Sequence, residues 1–344
     1  MHKLIFLGLI FNITICYSQN VIEVEQPKIS EEIEILFAEL KANSEDGFYK
    51  SIEILEQGLK QAKSDFETYK IVLNLGFLYT KTEQFDKCLD TWIAANKKGI
   101  CFNFMVSDNP YPSYLSEYKN NKRFTDFIKR NDSLLVDISK DAKAEYFVNL
   151  PAKYDKSQKY PLIIILHGGY GSYNRTFENW QSDLIQDNFI SVYPQGREMK
   201  ASFTRRYGKN GIEDISQIYN QVITKYSVDT TSLILAGQSA GGAMSLGLVN
   251  NGLLTKGLLL AFPVKPRSFD IKRAESLKES SVRVVMICGE QDKTFYPGQL
   301  ELSSLLDSAE VDNKFISYPN LGHGFPDDFK FQIDQGLIFI LDAK

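Results

Sequence analysis

The spacing of apolar residues divides the chain into two parts. Between residues 31 and about 135, apolar side chains recur every three or four positions, which predicts helices throughout. Beyond residue 137, short apolar and β-branched runs alternate with helical stretches, a pattern typical of a mostly parallel sheet with helices on both faces. The predicted strands are 145–150, 162–166, 189–193, 233–236, 257–262, 282–287 and 314–318. The predicted helices of this second part are 212–225, 244–250, 299–309 and 329–341.

The helical part repeats a pattern of small and large residues. Within 69–101, the spacing is that of a tetratricopeptide repeat at Leu75, Gly76, Tyr79, Phe85, Trp92 and Ala95. At a constant offset of 37, an upstream copy matches Phe85, Lys87, Leu89 and Trp92 with Phe48, Lys50, Ile52 and Leu55. The segment 19–136 therefore resembles a small tetratricopeptide-like domain. Two interpretations stay open: a docking surface for a protein or peptide partner, and a packed helical cap that leans on the rest of the chain.

The first residues have the pattern of a secretory signal peptide. A short basic start is followed by an apolar run over 4–16, which is too short for a comfortable transmembrane helix. The small residues Cys16 and Ser18 fit a cleavage site, so we expect a signal peptide over 1–18 and a mature chain that begins at Gln19. This predicts a periplasmic or secreted protein without a membrane span. The alternative is a buried N-terminal strand or helix.

Composition narrows the class of partner and cofactor. The 344 residues carry a formal net charge of -4 without a long basic run, which argues against nucleic acid as a partner. Three cysteines remain after cleavage, at Cys88, Cys101 and Cys288; their odd number argues against a disulfide framework, and their spacing matches no zinc site. We therefore expect no metal and no cofactor. A bridge between Cys88 and Cys101 stays an alternative in an exported protein.

The most informative motif lies between a predicted strand and a predicted helix. Residues 237–241 read Gly-Gln-Ser-Ala-Gly, the arrangement of a nucleophile elbow with Ser239 at the strained turn. The flanking Gly237 and Gly241 are expected because a side chain there would collide with a neighbouring strand or helix. The Gly-x-Ser-x-Gly spacing alone is weakly specific. The residues that would act together with Ser239 therefore have to support the assignment.

A serine nucleophile needs a base and an orienting carboxylate. Of three histidines, one lies in the signal peptide and His167 directly follows a predicted strand, which leaves His323 as the candidate base. If the acid lies between serine and histidine in the chain, the turn after strand 282–287 supplies it. Asp292 is the preferred acid, because its later position in the turn reaches further toward the histidine. Glu290 is the rival.

Acyl transfer also needs hydrogen-bond donors for an oxyanion. The backbone N–H of Ala240, directly after the serine, is one candidate. The glycine-rich loop over 167–171 offers the other, at Gly169 or Tyr170. Such a loop might instead cradle phosphate, but no Gly-Lys-Ser or Gly-Lys-Thr accompanies it.

Together these motifs resemble those of the α/β-hydrolases. The matching pieces are 160–162 leading into 166–169, 193–196, 228–229, 237–242, Gly289 with Asp292, and 322–324. Over about 141–344 the chain is most similar to serine esterases, including polyester-depolymerase-like, feruloyl-esterase-like and phospholipase/carboxylesterase enzymes. The resemblance implies an α/β-hydrolase domain over 137–344 that cleaves carboxylic esters through an acyl-enzyme. It does not specify the substrate, for which we expect a small-molecule or carbohydrate-linked ester.

Two further expectations concern the substrate site. Only 17 residues, 265–281, separate two predicted strands, which leaves no room there for a large helical lid and favours an open site. The residues expected to line the site are Tyr170, Tyr173, Trp180, Arg197, Arg205, Arg206 and Phe262. Two other functions stay open: a peptidase of the prolyl-oligopeptidase kind, and a binding scaffold whose hydrolase domain is inactive.

Overall fold

The computed structural model describes residues 20–42, 47–103 and 121–342. The predicted signal peptide over 1–18 lies outside these residues. Within them, no helix combines the length and the apolar character that crossing a membrane requires.

An eight-stranded sheet forms the centre of the molecule, in the strand order β1-β2-β4-β3-β7-β8-β9-β10. Its neighbouring strands run parallel except β2 and β4, which are antiparallel. The strands are β1 (Val21–Glu23), β2 (Ala144–Asn149), β3 (Tyr160–Leu166), β4 (Ile190–Gln195), β7 (Val228–Gln238), β8 (Gly257–Ala261), β9 (Arg283–Gly289) and β10 (Asn313–Tyr318). All seven predicted strands are present, so the predicted α/β class with a mostly parallel sheet is confirmed.

Helices cover both faces of this sheet. One face packs against α8 (Gly211–Lys225), α9 (Ala240–Asn250), α10 (Ile271–Glu279) and α11 (Tyr296–Ser308). The other face packs against α6 (Tyr173–Asn179), α7 (Asp183–Asn188) and α12 (Phe329–Leu341). The central strands are apolar on both sides because both sides are buried; Ile163 and Ile164 of β3, for example, point to opposite cores and are fully buried.

Five helices form a separate cluster, which we call the helical module. They are α1 (Glu31–Ala42), α2 (Phe48–Gln61), α3 (Asp65–Lys81), α4 (Phe85–Lys97) and α5 (Lys122–Ser139). A capping box begins α3, with the Ser64 side chain accepting from the Glu67 N–H and the Glu67 side chain accepting from the Ser64 N–H. A Cβ on Gly76 would lie 2.6 Å from the Trp92 ring, so a small residue lets α3 and α4 approach closely, as the repeat spacing predicts.

The helical module is inserted between two strands of the sheet. Strand β1 was not predicted, and it pairs with β2 through Val21–Ala144 although more than a hundred residues separate them in sequence. Residues 21–23, which lie within the predicted helical segment 19–136, therefore pair with the sheet, and the chain enters the helical module only afterwards.

A hairpin of the sheet domain anchors the module. Its strands β5 (Glu198–Ala201) and β6 (Thr204–Arg206) present Phe203 at the turn, with ring centroids 5.3 Å from those of Phe66 and Tyr69 in α3. The helical module therefore packs against the sheet domain through this hairpin.

Cys88, Cys101 and Cys288 are all buried free thiols. The alternative of a Cys88–Cys101 bridge is therefore not realised. Ser202 of the hairpin turn donates a hydrogen bond to the Cys101 sulfur at 3.5 Å, which ties this thiol to the domain contact instead.

Candidate active site

Ser239 lies at a sharp turn between β7 and α9. Its φ of 53° and ψ of −118° are unusual for an L-residue and aim a nucleophile-elbow side chain away from the sheet. A Cβ on Gly237 would lie 2.7 Å from the Gly241 backbone, and one on Gly241 would lie 2.1 Å from the Leu166 carbonyl oxygen. The prediction that both flanking glycines avoid collisions is confirmed.

The side chain of His323 joins Ser239 to Asp292. Its Nε2 lies 2.9 Å from the Ser239 Oγ, and its Nδ1 lies 2.5 Å from the Asp292 Oδ2. The three residues follow the carboxyl ends of β7, β9 and β10, which meet at one edge of a parallel sheet. This is the geometry in which a carboxylate orients an imidazole toward a serine hydroxyl.

Asp292 is held in place from two sides. While its Oδ2 faces His323, its Oδ1 accepts a hydrogen bond from the Phe295 N–H at 3.1 Å. Asp292 is 5% exposed. The rival acid, Glu290, instead accepts a hydrogen bond from the Ser317 hydroxyl at 2.9 Å. The structure therefore brings Asp292 to the histidine and engages Glu290 elsewhere.

Close backbone packing holds the two loops of the acid and the base together. A Cβ on Gly289, the last residue of β9, would lie 2.3 Å from the Gly322 carbonyl oxygen and 2.4 Å from that of Leu321. Only a residue without a side chain fits at this position. The glycine at the end of β9 therefore sets the approach of the Asp292 turn to the His323 loop.

Two aromatic rings flank the imidazole of His323. The Phe262 ring lies edge-on at 4.7 Å between centroids, and the Phe295 ring lies at 4.9 Å. Phe262 has a φ of 36°, and its N–H donates to the Ile287 carbonyl at 2.6 Å. Phe262, predicted to line the substrate site, thus contacts the His323 imidazole directly. Phe295 was not predicted, because it lies in the turn after Asp292 and no pattern marks it.

The glycine-rich loop after β3 lies against the elbow. A Cβ on Gly168 would be 3.7 Å from the Cβ of Ser239, and one on Gly169 would be 3.7 Å from the Cβ of Ala240. Ala240 is the first residue of α9, so its N–H has no acceptor within the helix. The candidate oxyanion donors at Ala240, Gly169 and Tyr170 therefore belong to two backbone segments that touch beside Ser239.

His167 organises this loop. It is fully buried, and burial lowers the pKa of its imidazole to about 4. Its Nδ1 lies 2.6 Å from the Gly168 carbonyl oxygen, while its Nε2 accepts from the Gly196 N–H at 3.4 Å. One donor and one acceptor are what a neutral imidazole offers, so His167 is a structural residue rather than a base. Its ring stacks on Tyr207 at 4.2 Å, a partner that the sequence did not reveal.

Several residues predicted to line the substrate site are buried elsewhere. Trp180 is 0% exposed and donates from Nε1 to Gln238 at 2.7 Å, and Tyr173 packs edge-on against Phe147. Arg205 is 6% exposed and forms an ion pair with Glu145 at 2.6 Å. The prediction of substrate contact is therefore wrong for Trp180, Tyr173 and Arg205.

Arg197 is likewise engaged away from the site, in an ion pair with the buried Asp214. Tyr170 and Arg206 remain exposed near the elbow, with the Arg206 guanidinium 5.5 Å from the centre of the Tyr170 ring. Their contact with substrate stays a prediction.

No group of three histidine, cysteine, aspartate or glutamate side chains suited to a metal ion occurs in the described part of the chain.

Comparison with known families agrees with this geometry. Residues 161–316 match the model of a family described as an alpha/beta hydrolase domain. The chain contains an α/β-hydrolase domain. The fold is similar to that of an uncharacterized protein from Bacillus cereus ATCC 10987, with a TM-score of 0.51 and 19% identity over 90% of this chain and 99% of that one.

Two curated proteins are similar in sequence to parts of this chain. Dipeptidyl peptidase 4 of Bos taurus is 24% identical over 316 residues, which span 74% of this chain and 40% of that protein. The bifunctional acetylxylan esterase/xylanase XynS20E of Neocallimastix patriciarum is 30% identical over 84 residues, which span 24% of this chain and 12% of that protein. The chain thus spans less than half the length of both relatives.

Proposed function

We propose that this protein is an exported serine hydrolase that cleaves carboxylic esters through an acyl-enzyme. The observation that carries the proposal is the continuous chain of contacts from Asp292 through His323 to Ser239, with distances of 2.5 Å and 2.9 Å. A serine hydroxyl becomes an effective nucleophile only when an oriented base accepts its proton.

In the proposed mechanism, the Ser239 Oγ attacks the ester carbonyl while His323 Nε2 takes the hydroxyl proton. The carbonyl oxygen gains negative charge and is stabilised by the N–H of Ala240 and that of Gly169 or Tyr170. His323 then returns the proton to the leaving alcohol, and the acyl group stays on Ser239. Water attacks this acyl-enzyme by the same route, which releases the acid and restores the hydroxyl. Asp292 holds the imidazole tautomer with its proton on Nδ1 throughout.

A peptidase is the second candidate, because the sequence similarity to bovine dipeptidyl peptidase 4 extends over 74% of the chain. The same catalytic residues would then attack an amide. Turnover of aryl esters beside amides with the same acyl group separates the two candidates.

We also propose a location, a substrate class and a partner for the protein. The N-terminal residues 1–18 have the pattern of a cleavable signal peptide, which supports a periplasmic or secreted location. The substrate is a small-molecule or carbohydrate-linked ester. The helical module either packs on the sheet domain only or also carries a protein partner.

The test of this function compares the wild type with Ser239→Ala and His323→Ala on 4-nitrophenyl acetate. Each substitution is expected to lower kcat by at least about a thousandfold, because each removes the nucleophile or its base. Circular dichroism and the unfolding midpoint confirm that each variant is folded. Turnover near the wild-type rate in either folded variant contradicts the assignment.

A further inference from the structure

A cavity of about 390 Å³ lies between the helical module and the sheet domain. One wall is α3, and the opposite wall is the segment that follows the glycine-rich loop. The residues that line it include Phe66, Tyr69, Leu73, Tyr170, Gly171 and Asn174. Its volume is at the lower end of the range of about 300–1,000 Å³ that is typical of small-molecule sites.

The cavity borders the backbone segment that lies beside the candidate nucleophile. A Cβ on Gly168 would lie 3.7 Å from the Ser239 Cβ, and Gly171, three residues later, lines the cavity. Consecutive Cα atoms are 3.8 Å apart, so the two positions are separated by at most about 11 Å along the chain. An ester whose carbonyl lies at Ser239 would have to span at most about this distance beyond Gly168 to place a ring in the cavity.

Direct contacts fix the cavity relative to the oxyanion loop. The Tyr69 hydroxyl of α3 lies 2.9 Å from the Thr204 hydroxyl of β6. The next residue of β6, Arg205, exchanges backbone hydrogen bonds of 2.9 Å and 3.3 Å with Gly171. The helical module thus holds one wall of the cavity in register with the loop beside Ser239.

The lining combines aromatic faces with polar groups. Phe66, Tyr69 and Tyr170 supply rings, while Lys70 and Glu178 form an ion pair of 2.7 Å across the two domains. Asn174 is 5% exposed, and its Oδ1 has no hydrogen-bond partner in the described part of the chain. A purely hydrocarbon group would leave the Asn174 Oδ1 without a hydrogen-bond partner, which is costly. A hydroxylated ring satisfies both kinds of surface, because its carbon face stacks on aromatic rings and its hydroxyls donate and accept hydrogen bonds.

We propose that this interdomain cavity is the site for a hydroxylated, sugar-like ring carried by the ester substrate, with the helical module as a specificity-determining wall. The proposal rests on the proposed function, since the ring is positioned for reaction at Ser239.

The test measures the preference for ring-bearing esters. One pair is 6-O-acetylglucose against ethyl acetate, which puts the ring on the alcohol side; the other is the methyl ester of glucuronic acid against methyl acetate, which puts it on the acyl side. For each pair the preference is the ratio of the two kcat/KM values.

Leu73→Trp fills the cavity from α3 at a position that is 42% exposed, so the fold tolerates the larger side chain. The matched control is Phe77→Trp, one turn later on α3, 53% exposed and outside the cavity lining.

The expected result is that Leu73→Trp lowers the preference ratio at least tenfold in one pair, and that Phe77→Trp leaves both ratios within twofold of the wild type. Unchanged ratios in Leu73→Trp, or equal losses in both variants, overturn the cavity proposal while ester hydrolysis itself stands. If the folded wild type hydrolyses 4-nitrophenyl acetate but none of the four esters, the cavity proposal fails while the proposed function stands. If it hydrolyses neither 4-nitrophenyl acetate nor the four esters, the proposed function fails, and the inference resting on it fails as well.

Discussion

Ser239 is held in a backbone conformation that costs free energy, and neighbouring segments stabilise it. Its N–H donates to the Ala261 carbonyl at 3.0 Å, and its own carbonyl accepts from the N–H of Val264 at 3.1 Å and that of Ala243 at 3.2 Å. Strained residues of this kind cluster at functional sites, where the surrounding structure over-determines them. The turn is therefore rigid before any substrate arrives.

The identity of the acid gives a sharp prediction. Asp292→Asn is expected to lower kcat by about 10⁴-fold, because the amide no longer fixes the His323 tautomer. The matched control is Glu290→Gln, two residues earlier in the same turn, for which we expect kcat within about twofold of the wild type. Initial rates on 4-nitrophenyl acetate measure both. A large loss in Glu290→Gln with a small one in Asp292→Asn would reverse the assignment.

His167 makes the stability of the protein depend on pH. Its pKa is about 4 in the folded protein and about 6.5 in the unfolded chain, so the unfolded chain binds more protons between these values. The stabilisation is complete above about pH 6.5 and is lost as the pH falls toward 4, by about 3 kcal/mol in total.

Urea unfolding of wild type and His167→Gln at a series of pH values measures this dependence. Glutamine keeps one donor and one acceptor but does not titrate, so the free energy of unfolding of the variant should fall less steeply with acid. His323 is present in both proteins and cancels in the comparison. Identical slopes would show that His167 is not buried in its neutral form.

At the residue scale, the sequence indicated which side chains would lie together wherever few residues could compete for a position. The structure joins the predicted Ser239, His323 and Asp292, because histidines are scarce and turns after strands are recognisable. The prediction of substrate contact failed for Trp180 and Arg205, whose side chains face the interior. No periodicity reveals which way a side chain points from a loop or a very short strand, so their burial had no signal in the pattern.

At the scale of elements, long apolar runs and amphipathic helices were predictable, and short edge elements were not. Strand β1 has three residues and pairs with a strand far away in sequence. The β5–β6 hairpin is similarly short and carries no apolar alternation. Because such strands are specified by their tertiary partners rather than by their own pattern, the sequence predicted neither.

The contact between the acid turn and the base loop depends on Gly289. In Gly289→Ala the new Cβ would meet two backbone carbonyls at 2.3–2.4 Å, which forces the loops of Asp292 and His323 apart. A displacement of about 1 Å at a catalytic group costs about 10²-fold, so we expect a loss of that order in kcat/KM for 4-nitrophenyl acetate.

Gly324→Ala is the control for this prediction, since a Cβ there has nothing within 4 Å although the position is next to His323. Its kcat/KM should stay close to that of the wild type. Wild-type kinetics in folded Gly289→Ala would show that the loops do not depend on this contact.

At the scale of the molecule, the β5–β6 hairpin joins the helical module to the sheet domain. The helical module has its own apolar core, and the hairpin of the sheet domain contributes Ala201 and Phe203 to it. The same hairpin pairs with Gly171, at the end of the loop beside Ser239. The sequence predicted both parts of the chain, but it did not predict this connection, because the hairpin that makes it carries no recognisable pattern. Through it the helical module becomes part of the surroundings of the candidate active site.

The most direct test of Ser239 as the nucleophile is labelling of the full chain with a fluorophosphonate probe, followed by mass spectrometry of the intact protein and of its peptides. An activated serine displaces fluoride and keeps the phosphonyl group, so we predict one adduct per chain, on Ser239, and none in folded Ser239→Ala. A folded wild-type protein that stays unlabelled, or an adduct on another residue that persists in Ser239→Ala, would contradict the proposed serine hydrolase.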